Sequence, residues 1–250
     1  MSKLSENLER LEDAIAQACR RSGRAREDVE LMAVTKTYPA STIAEAAELG
    51  LTLFGENRVQ EFTAKAPELA VLLSQDGSAG AGKNPIRVHL IGQLQSNKTG
   101  KAAELFDGVD SVDSRRVAER LNDAAVKLGK RLPLLIEVKL SAEETKGGVK
   151  PDSTEASQLL EALPGFSNIK TCGLMTIAPW GVDEDVTRAC FRSLREWRDQ
   201  WAAKHPRLRL DELSMGMSGD FAVAIEEGAT RIRVGTALFG KRAPYADLPE

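Results

Sequence analysis

The sequence predicts a single (β/α)8 TIM barrel extending over residues 1–250. Three observations carry that prediction. Eight short apolar runs alternate with amphipathic stretches along the chain. Several runs, such as LMAV and PLLI, are apolar at successive positions, which is the pattern of parallel strands covered on both faces by helices. Eight such units in 250 residues fit a closed barrel better than an open doubly wound sheet. With 42% of its residues hydrophobic, a chain of this length can bury a full core and needs no second domain.

Leu4, Leu8, Leu11, Ile15 and Cys19 recur at helical spacing ahead of Gly23, so an amphipathic helix is expected over about 4–22. The first strand is LMAVTK, ending at Lys36, followed by a helix over 40–48 and a short strand at 51–54. A helix near 57–72 leads to a loop at 74–85, SQDGSAGAGKNP, whose small residues predict a flexible surface segment. Its GAGK lacks the full P-loop spacing and has Asn84 where Ser or Thr should follow the lysine, which argues against nucleotide binding. Next come a strand at 86–91, a helix near 97–106, a weak strand at 108–112 and a helix near 114–128. The strand PLLIEVKL at 133–140, a helix near 152–162 and a strand at 169–175 follow. The long helix at 184–203 has Leu194, Trp197 and Trp201 on one face, a packing pattern. LRLDELSM, a helix near 218–227 and TRIRVG complete the series.

The formal charge of -3 gives no concentrated basic surface for nucleic acid. The opening MSKLSENLER lacks the apolar stretch of a secretory signal, and no run reaches the length of a membrane-spanning helix, so a cytoplasmic protein is expected. Cys19, Cys172 and Cys190 are odd in number and widely spaced, which predicts reduced thiols and no metal pattern. His89 and His205 are too isolated to build a zinc site.

In such a barrel the chemistry belongs at the C-terminal ends of the strands. Those ends carry Lys36, Glu56 with Asn57, His89 with Gln93, Lys139, Met175, SMGMS and Gly235 with Thr236. SMGMSGD at 214–220 and RVGT at 233–236 end the last two strands and would be neighbours. Backbone amides and hydroxyls there can hold a phosphate dianion, although Ser218 also suits an ordinary helix cap and Gly235 an ordinary turn. No Gly-rich dinucleotide fingerprint follows the first strand. A lysine facing a phosphate site admits two chemistries: a Schiff base with a sugar-phosphate carbonyl, or one with the aldehyde of pyridoxal 5′-phosphate. Arg233, two residues before Gly235 and so on the same strand face, favours the second. A guanidinium at the pyridine nitrogen keeps it unprotonated and suits holding the cofactor more than driving carbanion chemistry.

The segments AVTKTYP, FGENRVQE, HLIGQLQSNK, GLMTI, LSMGMSGDF and RVGTALFG occur in consistent order over nearly the whole chain. In them the sequence resembles the pyridoxal phosphate homeostasis proteins, whose fold is similar to the N-terminal barrel of alanine racemase. The resemblance implies pyridoxal phosphate held as a Schiff base on Lys36. It implies phosphate contacts at Ser214, Ser218, Gly235 and Thr236, Arg233 at the pyridine nitrogen, and Asn57, His89 and Met175 near the ring or pocket wall. It also implies a carrier or regulator of the free cofactor, affecting amino-acid and keto-acid balance and making transient contact with apoenzymes that use it. A monomer is expected. Two enzyme alternatives stand beside it. A racemase would need a second base, for which Tyr38 and Tyr245 are the only tyrosines. A sugar-phosphate aldolase would draw on Glu56, Glu137 or Asp220. Lys98, Lys139 and Lys146 are further amines that either meet the cofactor or face solvent.

Overall fold

The computed structural model describes residues 2–75, 85–141, 143 and 147–240. Eight parallel strands close into a barrel in chain order: β1 (Glu30–Val34), β2 (Leu53–Glu56), β3 (Arg87–Leu90), β4 (Gly108–Val112), β5 (Leu132–Glu137), β6 (Ile169–Met175), β7 (Glu212–Ser214) and β8 (Arg231–Val234). Closure is made by β8 against β1, where Met32 pairs with Arg233 and Ala33 with Val234. The helices around it are α1 (Lys3–Arg21), α2 (Ala40–Glu48), α3 (Val59–Gln75), α4 (Thr99–Leu105), α5 (Arg115–Lys127), α6 (Thr154–Ala162), α7 (Glu184–Lys204), α8 (Phe221–Glu226) and α9 (Thr236–Phe239).

Strand alternation divides the core in two. Met32 and Val34 of β1 meet Leu53 and Ile91 inside the barrel, while Leu31 and Ala33 of the same strand join the larger apolar layer beneath the helices. The leading helix is started by Ser2, whose hydroxyl accepts from the Ser5 amide at 3.3 Å. It buries Leu4, Leu11, Ile15, Ala18 and Cys19 against α8 and α9. Burial of each larger side chain contributes about 1.5–3 kcal/mol.

The element order matches the sequence expectation, with instructive differences. The weak fourth strand forms, and all five of its residues are buried. Its polar residues are accommodated because Asp110 is ion-paired and the Ser111 hydroxyl donates to the Gly92 carbonyl at 2.6 Å. LRLDELSM contributes only three residues to β7, since Arg209 and Asp211 pair with each other at the exposed surface before the strand begins. The third helix runs through Ser74 to Gln75, past its expected end. The rest of the glycine-rich loop from 76 to 84, together with Lys146 and Tyr245, lies outside the described residues. Trp201 is buried and Trp197 packs on the core, their rings 6.0 Å apart, as the helix-face spacing indicates. Among the described residues, no helix is long and apolar enough to cross a membrane.

Candidate functional site

Lys36 lies two residues beyond β1, on the C-terminal side of the barrel. The chain turns sharply there. Thr35 is fully buried, its amide donating to the Gly55 carbonyl at 3.0 Å, and the Tyr38 amide returns to the Thr35 carbonyl at 3.0 Å. Thr37 has φ +68°, the only positive φ outside glycine among the described residues. A side chain in that conformation costs on the order of 1–3 kcal/mol, so surrounding contacts must hold it.

Those contacts come from α3. The Lys65 ammonium donates to the Thr35 carbonyl at 3.0 Å, to Glu56 at 3.0 Å and 3.1 Å, and to Glu61 at 2.6 Å. Glu61 also accepts from the Thr37 amide at 2.5 Å, and Glu56 accepts from the Thr35 hydroxyl at 2.7 Å. Glu56, considered from the sequence as a mouth acid, therefore points outward to α3. The neighbouring Gly55 is the inward residue, since a Cβ on it would meet Met32 and Ile91.

The adjoining arm of the mouth is built by β7, β8 and the turns after them. Arg233 is buried, with Nη1 donating to the Ser214 carbonyl at 2.7 Å and hydroxyl at 2.9 Å, and Nη2 to the Thr176 carbonyl at 2.8 Å. Burial works against its charge, and Asp110, Glu137 and Asp220 offset it. Ser214 is thus first a support for Arg233, leaving its O–H as the group it can still donate. Ser218 is partly exposed and its hydroxyl accepts from the Ala237 amide at 3.1 Å, tying the β7 turn to α9. Gly235 abuts β1 so closely that a Cβ would lie 3.2 Å from the Val34 carbonyl oxygen, and Thr236 is exposed as the first residue of α9.

Met175 is fully buried between Glu137 of β5 and Ser214 of β7. Burial, reinforced by Asp113 and opposed by Arg233, pushes the Glu137 carboxyl up to about 7. Asn57 follows β2 directly. Its carbonyl is packed against Gly92, where a Cβ would come within 2.1 Å of that oxygen. Asp220 accepts from the Met217 amide at 2.5 Å, a turn-closing role.

His89 of β3 pairs with the inward Gly55, and its ring is directed toward β4. Its ring lies over Gly108, the first residue of β4, where a Cβ would come within 2.5 Å of it. Nδ1 is 2.9 Å from Asp110, whose other oxygen takes Arg231 at 3.1 Å. Arg231 also reaches Glu30 at 2.9 Å and Glu212 at 2.8 Å. Glu30, Glu212 and Arg231 open their strands, so this network sits toward the N-terminal pole and borders a cavity of about 80 Å³. Sequence position near a strand end did not reveal which way the imidazole turns.

Tyr38 sends its hydroxyl to the Gly240 carbonyl at 3.1 Å and its ring to Phe239, 5.1 Å away. Lys98 occupies the N-cap position of α4 but makes no side-chain capping hydrogen bond. Lys139 lines an open groove with Lys150 and the start of α6. Lys65, Glu61, Asp110 and Arg231 were not singled out from the sequence. The only local signal for the first two is their spacing of four on a helix, which ordinarily describes a solvated pair.

At the C-terminal end of the barrel, then, lie a buried guanidinium held by Ser214 and Thr176, the hydroxyl residues Ser218 and Thr236, the close-packed backbone of Gly235 and, on the adjacent strand, Lys36. Residues 7–243 match the family described as alanine racemase, N-terminal domain. A pyridoxal phosphate homeostasis protein of Aquifex aeolicus is 40% identical over 95% of this chain and 97% of its own length. The chain belongs to the pyridoxal phosphate homeostasis protein family. The Escherichia coli K12 protein of that family is 37% identical over 97% of this chain and 98% of its own. PipY of Synechococcus elongatus PCC7942, solved with PLP bound, superposes with a TM-score of 0.77 at 41% identity, covering 90% of this chain and all of PipY. An alanine racemase of Clostridium difficile 630 shares the fold, with a TM-score of 0.69 at 17% identity over 99% of this chain and 58% of the racemase.

Proposed function

We propose that this homeostasis-family chain binds pyridoxal 5′-phosphate and holds it reversibly as a Schiff base on Lys36, contributing to PLP homeostasis and through it to amino-acid and keto-acid balance. The observation that carries this reading is strand pairing at barrel closure. Because Ala33 pairs with Val234, Lys36 and the Gly235–Thr236 turn leave the C-terminal ends of two adjacent strands. PLP supplies an aldehyde for the amine and a phosphate dianion as a handle. On this reading Ser218, Thr236 and the bare backbone at Gly235 hold the phosphate, and Arg233 donates toward the ring nitrogen. Ser214 keeps that guanidinium in place while offering its own O–H. Asn57 and Met175 shape the wall, and His89 supports the interior from below.

The role as a holder is favoured by what surrounds Arg233 and Tyr38. A guanidinium braced by Ser214 and Thr176 is a fixed hydrogen-bond donor that releases no proton in the physiological range. Tyr38, the described tyrosine nearest Lys36 in sequence, has its hydroxyl engaged with Gly240, which argues against Tyr38 as a racemase's second base.

The test is intact mass and peptide mapping after adding PLP and reducing with borohydride. A single reduced adduct on Lys36 is expected, absent in Lys36→Ala, which retains weak noncovalent binding through the phosphate groups. An adduct that persists unchanged in Lys36→Ala, or none on any lysine of the unaltered chain, overturns the assignment.

A further inference from the structure

We infer that Glu61 and Lys65, with Glu56, are positioning residues for Lys36: they clamp the peptide groups on both sides of it and so aim its amine. The inference rests on the reading of Lys36 given above. Lys65 takes the Thr35 carbonyl, the peptide oxygen just before Lys36, and Glu61 takes the Thr37 amide, the peptide nitrogen just after it. Glu56 joins the two anchors by accepting from the Thr35 hydroxyl and from Lys65. With both flanking residues fixed, the direction in which the Lys36 side chain leaves the backbone is fixed as well. The same contacts account for Thr37 at φ +68°, a conformation that a threonine does not adopt without outside support.

Stability alone is a weak reason for such a cluster. The side chains of Glu56, Lys65 and Glu61 are 0%, 10% and 11% exposed, beside an apolar layer that includes Phe62 and Leu69. Apolar residues in such a place are often as stable as a buried ion pair or more so, whereas charged hydrogen bonds give direction. The ammonium here spends its donors on two carboxylates and one chosen backbone carbonyl. In the covalent step the Lys36 nitrogen adds to the aldehyde carbon, a C=N bond replaces the C=O bond, and the oxygen leaves as water. The rate of that addition depends on the approach of the nitrogen, and a misplacement near one ångström costs up to about a hundredfold.

The test compares the full chain with Glu61→Gln, Glu61→Ala and Lys65→Met. Three quantities are read: the rate of borohydride-trappable adduct formation at Lys36, the dissociation constant for pyridoxine 5′-phosphate, and hydrogen exchange in the peptide spanning Thr35–Tyr38. Pyridoxine phosphate has no aldehyde and reports the noncovalent contacts to phosphate and ring without the covalent step. The expected result is adduct formation slowed about tenfold or more in Glu61→Ala and Lys65→Met, with pyridoxine phosphate affinity within about threefold and faster exchange at Thr37. Glu61→Gln, which keeps an acceptor for the Thr37 amide, should recover most of the rate. Folded Glu61→Ala with an unaltered rate overturns the positioning role while leaving Lys36 as the tether. Equal losses of rate and of pyridoxine phosphate affinity also overturn it, by revealing general damage. An unaltered chain that takes no label on Lys36 overturns the underlying reading and the clamp with it. Should Lys65→Met fail to fold, the two Glu61 variants decide the matter alone, because that side chain lies at the edge of the cluster.

Discussion

Glu137 is a carboxyl that burial and Asp113 push up to about 7 even though Arg233 pulls the other way. Its folded value lies above the ordinary carboxylate range, so the fold favours the protonated form. The associated stability is therefore present below that range and is lost as pH rises through about 7. Glu137→Gln is expected to exceed the unaltered protein in stability by about 1–3 kcal/mol at pH 8, the difference shrinking toward zero near pH 4. Urea unfolding of both chains across that range checks it, and a gap that widens on acidification contradicts the sign. At this scale the sequence exposed chemical types but not directions. Lys36, Arg233, Ser218, Gly235 and Thr236 were all recognisable from the ends of their strands, and they do gather at one end of the barrel. Glu56 and His89 were equally visible in their motifs, yet one turns outward to Lys65 and the other to Asp110. Direction depends on strand phase, and a shift of one residue reverses it.

Close approach between strands sets the demands on single elements. Gly173 of β6 is packed on β7 so tightly that a Cβ would lie 1.9 Å from the Glu212 carbonyl oxygen. Backbone cannot move aside as a flexible side chain can, so Gly173→Ala should force β6 and β7 apart and cost about 1–3 kcal/mol or more. A lowered urea midpoint, together with weakened pyridoxine phosphate binding through displaced Ser214, is the expected pair of observations. A midpoint within experimental error of the unaltered chain contradicts it. The same scale explains the shortened seventh strand. Its apolar residues continue back to Leu208 and Leu210, both buried, but Arg209 and Asp211 are committed to each other at the surface. Apolar alternation alone overstates such a strand, because hydrophobic burial does not require ladder pairing.

Across the whole molecule the two ends of the barrel divide the work, as barrel folds generally do. Lys36, Arg233 and the phosphate-holding candidates serve the C-terminal end, while Arg231 with Glu30, Asp110 and Glu212 closes the other. Removing the shared cation leaves the buried Asp110 with His89 alone and takes a partner from the partly exposed Glu30 and Glu212. Arg231→Met is expected to destabilise the barrel by about 3–5 kcal/mol, the range for breaking a buried ion pair from one side. At a temperature where the variant remains folded, adduct formation at Lys36 should stay near that of the unaltered chain. Thermal unfolding together with borohydride trapping measures both. A small stability loss with a large loss of adduct would place Arg231 in the site itself.

The sequence by itself determined the alternation of strands and helices, their parallel arrangement and the collection of lysine, glycine and hydroxyl residues at one barrel end. Hydrophobic period and turn residues are local properties, and they suffice for those features. Only the tertiary structure decided which charges meet. Asp110 and Arg231 are 121 residues apart in the chain, and Glu56 reaches Lys65 only because β2 presents Gly55 inward and Glu56 outward. Such pairings are fixed by barrel closure and strand phase, which bring together groups whose separation along the chain carries no sign of contact.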